Sequence, residues 1–221
     1  RTGQIEAPAL RGVDLEVRAG EFLAVVGPSG SGKTTLLNLI GALDSATDGR
    51  LSVFGRDVGE MSRRGRADMR LHRLGFVFQA YNLVPVLTAR ENVEFILELQ
   101  GAGRERFSRA LEVLEELGLA EFAGRRPNQL SGGQQQRVAV ARAVASRPRL
   151  VLADEPTANL DGENAEALLK MMRELNRDRG ITFVFSTHDP RVVAHARRVI
   201  RLVDGRVASD ETKEPKELGD D

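Results

Sequence analysis

Residues 21–43 read EFLAVVGPSGSGKTTLLNLIGAL, and this stretch sets the frame for the rest of the chain. EFLAVVG is an apolar run too short for a helix and closed by Gly27; the Gly- and Ser-rich turn after it gives way to TTLLNLIGAL, whose apolar positions follow helical spacing. The pattern predicts strand, loop and helix. Gly27-Pro28-Ser29-Gly30-Ser31-Gly32-Lys33-Thr34 fits G-x-x-x-x-G-K-[ST] in the context that a phosphate-binding loop requires. Gly27, Gly30 and Gly32 let successive backbone N–H groups turn inward around a β-phosphate, and the following helix adds its positive end. Lys33 is expected to bridge the β- and γ-phosphates, and Thr34 to offer a hydroxyl to Mg2+, a hard cation that keeps several waters. Ser29, Ser31 and Thr35 complete the expected nucleotide-binding set. The bland alternative, a Gly-rich turn beside a surface lysine, leaves the strand and helix on its two sides without a reason.

Working outward, RLVLADE at 149–155 is a short continuous apolar run bounded by charge and proline, the pattern of a strand buried on both faces of a parallel sheet, and ITFVFST at 181–187 is another. Residues 164–179 between them have helical periodicity without Pro or Gly, giving a strand–helix–strand unit with a right-handed crossover. LSVF at 51–54 and GFVF at 75–78 predict further strands, with an exposed Arg-rich helix over 62–73. From Thr88 the pattern changes to two amphipathic helical segments, ARENVEFILELQ and RERFSRALEVLEELG, separated by GAG. After 198–203 the triplet DGR marks a hairpin turn, and the closing ASDETKEPKELGDD is polar, acidic and aperiodic. The expected architecture is an α/β core over 1–84 and 147–208 with a small antiparallel β subdomain, a helical insertion over 85–146, and a disordered acidic tail over 209–221.

Composition narrows the function. The chain has 221 residues, 41% hydrophobic and 29% charged, enough for one sizeable core. Lys+Arg and Asp+Glu are 32 each, so no global basic field holds nucleic acid or anionic lipid. The absence of Cys excludes disulfides, a thiolate nucleophile and Cys-ligated zinc. No run approaches a membrane span, and RTGQIEAPALRG has no apolar signal core. The chain begins with Arg1 rather than Met, so a trimmed natural N-terminus is expected.

Asp154-Glu155 closes the strand at 149–155, and sites in parallel sheets form at the carboxyl ends of strands. Asp154 is placed to hold Mg2+ through water. Glu155, pointing differently, is placed to take a proton from a water attacking the γ-phosphate. A DE pair alone is more often a solvated turn; beside a phosphate loop it makes the metal-and-base arrangement of a hydrolase.

Leu130-Ser131-Gly132-Gly133-Gln134, followed by QQRVAVARAVASRP, then resembles the signature of ATP-binding cassette (ABC) ATPases. The order of this segment, Asp154-Glu155-Pro156, Asn159-Leu160-Asp161 and His188, with Gln79 upstream, is similar to that family's signature, Walker B, D-loop, switch histidine and Q-loop over nearly the entire chain. Taken alone, LSGGQ reads equally as a helix N-cap, with Ser131 capping a helix that starts at Gly133. The resemblance implies a P-loop NTPase (RecA-like) core and a homodimer that closes on ATP, because a second anion site at a Gly-Gly helix N-terminus needs a second nucleotide. Carried over motif by motif, Gln79 would touch Mg2+ and the attacking water. Ser131, Gly133 and Gln134 would meet the partner's γ-phosphate, Asp161 would work across the dimer interface, and His188 would hydrogen-bond the γ-phosphate. His72 and His195 carry only a structural reading. The aromatic residue on which many members stack adenine has no counterpart before Gly20.

Within the family, FQAYNLVPVLTARENVEF and ADEPTANLD look most like the LolD/MacB group of lipoprotein-releasing and macrolide-exporting ATPases. That implies a peripheral protein at the cytoplasmic face of the inner or plasma membrane, with an integral permease docking near Gln79 to Val93. The apolar Leu83, Val84, Pro85, Val86 and Leu87 in an expected surface loop fit such docking. The competing expectation is a soluble ABC ATPase of nucleic-acid repair or translation. Zero net charge, a single cassette and the lack of a long coiled-coil insertion speak against it and against a nucleic-acid partner. A small-molecule kinase would need an acceptor pocket and lid where the signature helix stands.

Overall fold

The computed structural model describes residues 8–213. Its strands are β1 (Phe22–Val26), β2 (Ser52–Val53), β3 (Arg56–Asp57), β4 (Leu74–Val77), β5 (Leu150–Asp154), β6 (Thr182–Thr187), β7 (Arg198–Val203) and β8 (Arg206–Thr212). The α-helices are α1 (Lys33–Ile40), α2 (Arg63–Arg73), α3 (Ala89–Leu99), α4 (Arg106–Glu116), α5 (Gly132–Ala145), α6 (Gly162–Arg179) and α7 (Pro190–His195). Six strands build one sheet in the order β4-β5-β6-β1-β7-β8, parallel except for the β7–β8 pair. β1, the strand that feeds the phosphate loop, is central and wholly buried.

Alternation along the buried strands divides the core in two. Phe22, Ala24, Val26, Phe183 and Phe185 face the layer made by α3 to α7, whereas Leu23, Val25, Val184, Ile200 and Leu202 face α1 and α2. Phe22 packs tilted on Phe185 with ring centroids 4.7 Å apart. The helical insertion has no separate core: Val93, Leu97, Leu114 and Val138 belong to the same contiguous cluster as the sheet. Thr88 and Glu91 make a capping box that starts α3, with Glu91 Oε2 accepting the Thr88 N–H at 2.8 Å.

Two expectations need correction. The LSVF strand shrinks to Ser52–Val53, which pairs with Arg56–Asp57 across a two-residue turn at Phe54 (φ 52°) and Gly55 (φ 77°). Apart from this hairpin, the antiparallel pairing is the β7–β8 edge of the main sheet. The stretch from residue 209, expected to open a disordered tail, instead starts ordered, because Ser209 to Thr212 continue β8 and pair with Arg201 to Arg198. An edge strand with most side chains in solvent needs no apolar alternation, so its sequence reads as tail. What holds it is the backbone ladder plus Arg198, whose guanidinium bonds Asp210 at 2.6 Å and Glu21 at 3.0 Å. The rest of the expected tail, 214–221, and residues 1–7 lie outside the described residues.

Candidate functional site

The site gathers at the carboxyl ends of β1, β5 and β6, three adjacent strands. Gly27 leaves β1 so close to β7 that a Cβ there would stand 2.1 Å from the Leu202 carbonyl oxygen. Gly32, in the left-handed region at φ 100°, turns the chain into α1. Side chains cap the N-termini of α2, α3, α5 and α6, through Ser62, Thr88, Ser131 and Asp161. At α1 the cap residue is Gly32 and no side chain among the described residues takes up the free N–H groups. A helix start without its own acceptor, behind a glycine cradle, fits a phosphate group.

Lys33 Nζ donates to the carbonyls of Gly27 at 2.8 Å and Pro28 at 3.1 Å, which places the ammonium inside the loop. Ser29 and Gly30 are exposed, Thr35 is half-buried, and Ser31 is buried with its hydroxyl unpartnered among the described residues. Thr34 Oγ1 donates to Asp154 Oδ2 at 3.2 Å, bringing the two expected metal donors into contact from positions 120 residues apart. A hydroxyl beside a carboxylate suits a hard cation, and Mg2+ held largely by phosphates and water needs few protein ligands.

Glu155 follows β5 with φ 47°, an uncommon conformation for a side chain of this size. Its carboxylate accepts from His188 Nδ1 at 2.8 Å, from Thr187 Oγ1 at 3.2 Å and from the His188 N–H at 3.4 Å. The glutamate side chain is 17% exposed and the histidine 75%, so His188 covers the carboxylate and presents its far edge to solvent. Gln79 lies two residues past β4, exposed, and its backbone carbonyl accepts Asn159 Nδ2 at 2.9 Å. The structure therefore brings Lys33, Thr34, Asp154, Glu155 and His188 together, with Gln79 tied to the loop after Glu155.

The signature residues lie at the start of α5. Ser131 and Gln134 form a capping box with each other: Gln134 N–H donates to Ser131 Oγ at 3.2 Å, and Gln134 Oε1 accepts the Ser131 N–H at 2.9 Å. The cap starts α5 at Gly132, one residue earlier than expected. Ser131 Oγ accepts in this cap, so its O–H stays free to donate outward. Gly133 is buried, and a Cβ there would be 2.7 Å from Asn164 Oδ1, so its small size lets α5 close on α6. Asp161 caps α6, accepting from Asn164 N at 2.9 Å and Asn164 Nδ2 at 2.7 Å, which lowers its pKa.

Sequence reasoning passed over several residues. Thr157 Oγ1 donates to Asp189 Oδ2 at 2.6 Å, and Arg191 adds bonds from its N–H and guanidinium. Burial opposes the Asp189 charge, but the bonds from Arg191 and Thr157 outweigh it and bring the pKa to about 2. The Asp-Pro pair at 189–190, a helix-start signature, was the available signal. Arg142 on α5 donates to the carbonyls of Tyr81, at 3.0 Å, and Asn82, both left-handed residues in the loop after Gln79; burial lowers its pKa. His195 pairs with Glu166 at 2.6 Å and His72 with Asp68 at 3.2 Å. Of the proposed docking loop, Leu83 packs on the main core while Val86 is 72% exposed. Beside it, Leu43, Leu71, Phe76, Phe78 and Ile96 line a cleft of about 380 Å³ between the sheet edge and the helical insertion.

Comparison with known proteins agrees with this geometry. A family model described as "ABC transporter" matches residues 10–158, and an AAA-domain model (putative AbiEii toxin) matches 123–194 alone. The chain is 50% identical to the lipoprotein-releasing system ATP-binding protein LolD of Anaeromyxobacter dehalogenans, covering 94% of this chain and 88% of that one. It is 46% identical to the macrolide export ATP-binding/permease protein MacB of Syntrophobacter fumaroxidans, over 93% of this chain but 29% of that longer protein. A solved dimeric post-hydrolysis state of the ATP-binding cassette MJ0796, bound to ADP and Pi, superposes with TM-score 0.86 at 44% identity, covering 94% of this chain and 92% of that one. These likenesses favour a transporter cassette over a nucleic-acid-directed ATPase. The motif order, the geometry at the strand ends and these relatives place the chain in the ABC transporter family, as an ATP-binding cassette with ATPase function.

Proposed function

We propose that the chain hydrolyses Mg-ATP as a face-to-face homodimer and drives a separate integral permease of the LolD/MacB kind from the cytoplasmic face of the membrane. The observation that carries the reading is the meeting of Lys33, Thr34, Asp154, Glu155 and His188 at three neighbouring strand ends. In it Lys33 and the α1 N-terminus hold the phosphates, and Thr34, Asp154 and Gln79 hold the metal and its water. Mg2+, when bound, supplies charge neutralisation on the β- and γ-oxygens. Glu155 takes the proton of the attacking water, with His188 fixing its carboxylate and reaching toward the γ-phosphate.

A second copy is required because the two anion-directed helix starts belong to elements on opposite faces of the sheet: α1 packs with Leu23 and Val25, α5 with Ala24 and Val26. Ser131, with its O–H free, then completes the phosphate site of the partner. The described residues contain no helix long and apolar enough to cross a membrane, which suits a subunit that works through a permease. The segment from Gln79 to Val93, a loop running into α3 with Val86 exposed, and the adjoining cleft form the docking surface.

Glu155→Gln should retain ATP binding while hydrolysis falls by about 10²–10⁴-fold, and ATP should then trap a dimer on size-exclusion chromatography. Lys33→Ala should weaken ATP binding itself. Equal loss of nucleotide affinity in both variants, or constant specific activity in a verified monomer, would refute the separation of roles.

A further inference from the structure

Glu155 stands in a backbone conformation that persists for such a residue only where its surroundings over-determine it. One restraint is its own N–H, which donates to the Ser186 carbonyl of β6 at 2.8 Å. The other comes from α5. Pro156 follows Glu155, and its carbonyl accepts the side-chain Nε2 of Gln136 at 2.8 Å. Gln136 is completely buried, yet its Oε1 has no hydrogen-bond partner among the described residues. A buried amide with half its bonding capacity unmet stabilises a core less than an apolar side chain of the same length, so stability does not account for a glutamine at this place.

We infer that Gln136 is a positioning residue that sets the geometry of Glu155 through the Pro156 carbonyl and makes it depend on how α5 is seated. Gln136 lies five residues along α5 from Ser131, the residue assigned to the partner's nucleotide. A shift of the α5 start against a second copy is thereby passed through a rigid helix and one hydrogen bond to the base of the same chain. The two sites of a dimer become linked without contact between their nucleotides. This rests on the reading of Glu155 as the base and of α5 as facing a second copy.

Gln136→Met keeps length and volume and removes both the donor and the orphaned acceptor. The Pro156 carbonyl loses its partner as the orphaned Oε1 is removed, so the expected result is a Tm within a few degrees of the parent and an unchanged KM for ATP, with kcat lowered by about ten- to a hundredfold, the scale of losing ångström-level placement. Gln136→Leu serves as a second apolar variant should methionine pack poorly. Single-turnover hydrolysis in a Glu155→Gln background provides the separating arm: adding Gln136→Met there should slow the residual reaction no further. Full kcat in Gln136→Met and Gln136→Leu overturns the inference, as does a fall that tracks a lowered Tm or a raised KM, or an equal fold-loss in the Glu155→Gln background. Glu155→Gln hydrolysing at the parental rate would overturn the base assignment itself, an outcome distinct from full activity of the Gln136 variants beside an inactive Glu155→Gln.

Discussion

Asn92→Leu removes a buried amide that holds the loop after Gln79 in shape. Asn92 is fully buried on α3; its Oδ1 accepts the Val84 N–H at 2.8 Å, and its Nδ2 donates to the carbonyls of Val84 (3.2 Å), Leu87 (3.2 Å) and Thr88 (3.0 Å). Leucine keeps the branch at Cγ and the number of side-chain heavy atoms but is bulkier than the flat amide, so no cavity forms and any packing contribution comes from crowding. The Thr88 carbonyl keeps the Asn92 backbone N–H at 2.9 Å, and the Val84 carbonyl keeps the Leu87 N–H at 3.1 Å. Two backbone groups lose their partner, the Val84 N–H and the Leu87 carbonyl. Each orphaned group costs about 1–3 kcal/mol, and both residues are only half-buried, so the lower half of the range applies and the sum is about 2–4 kcal/mol. For a chain of this size that corresponds to a Tm lower by ~5–15 °C. Thermal unfolding gives the global figure, and hydrogen exchange at Val84 the local one: its amide should lose protection well before the β1 and β6 amides do. A Tm within a degree of the parent together with undiminished protection at Val84 would refute the idea that this side chain shapes the loop.

Two further perturbations follow. Asp189→Asn tests the depressed carboxyl: a folded pKa of about 2 against an ordinary 3.8 means its stabilisation is complete above about pH 4 and is lost as pH falls toward 2, about 2 kcal/mol in all. Over that interval, denaturant midpoints of the parent should drop more steeply with acid than those of the variant, and superimposable slopes would contradict the assignment. Val86→Glu places a charge on an apolar side chain that is 72% exposed in the proposed docking loop; the isolated ATPase should stay folded and active while copurification with the permease and stimulation by it are lost, and survival of both would move the interface elsewhere.

The phosphate loop was legible because its chemistry is local. Eight consecutive residues carry the glycines, the lysine and the threonine, and their conformation depends on the strand and helix that directly adjoin them. Buried parallel strands were legible for a related reason, since residues covered on both faces are mostly apolar, as at 150–153 and 183–185. Where burial is partial the signal fades. β8 exposes most of its side chains, so nothing in ASDET separates an edge strand from a tail, and only pairing with β7 decides it.

Motif order placed Asp154, Glu155 and His188 in one series, but not their mutual geometry. The contact of Thr34 with Asp154 and the bond between Glu155 and His188 exist because the order β5-β6-β1 brings three strand ends side by side. Ser131 and Gln134 have the spacing of a capping box as well as of a signature, and one-dimensional pattern assigns them to neither; the fold shows the box formed, with one hydroxyl proton to spare. Gln136, Asn92 and Arg142 were invisible for a common physical reason. Each acts through backbone carbonyls or amides supplied by another segment, and a backbone group looks the same at every position of a sequence. Residue type and spacing determined the chemistry available to this chain; which polar groups meet in a buried, water-poor space was decided only when the sheet and the α5 layer closed on one another.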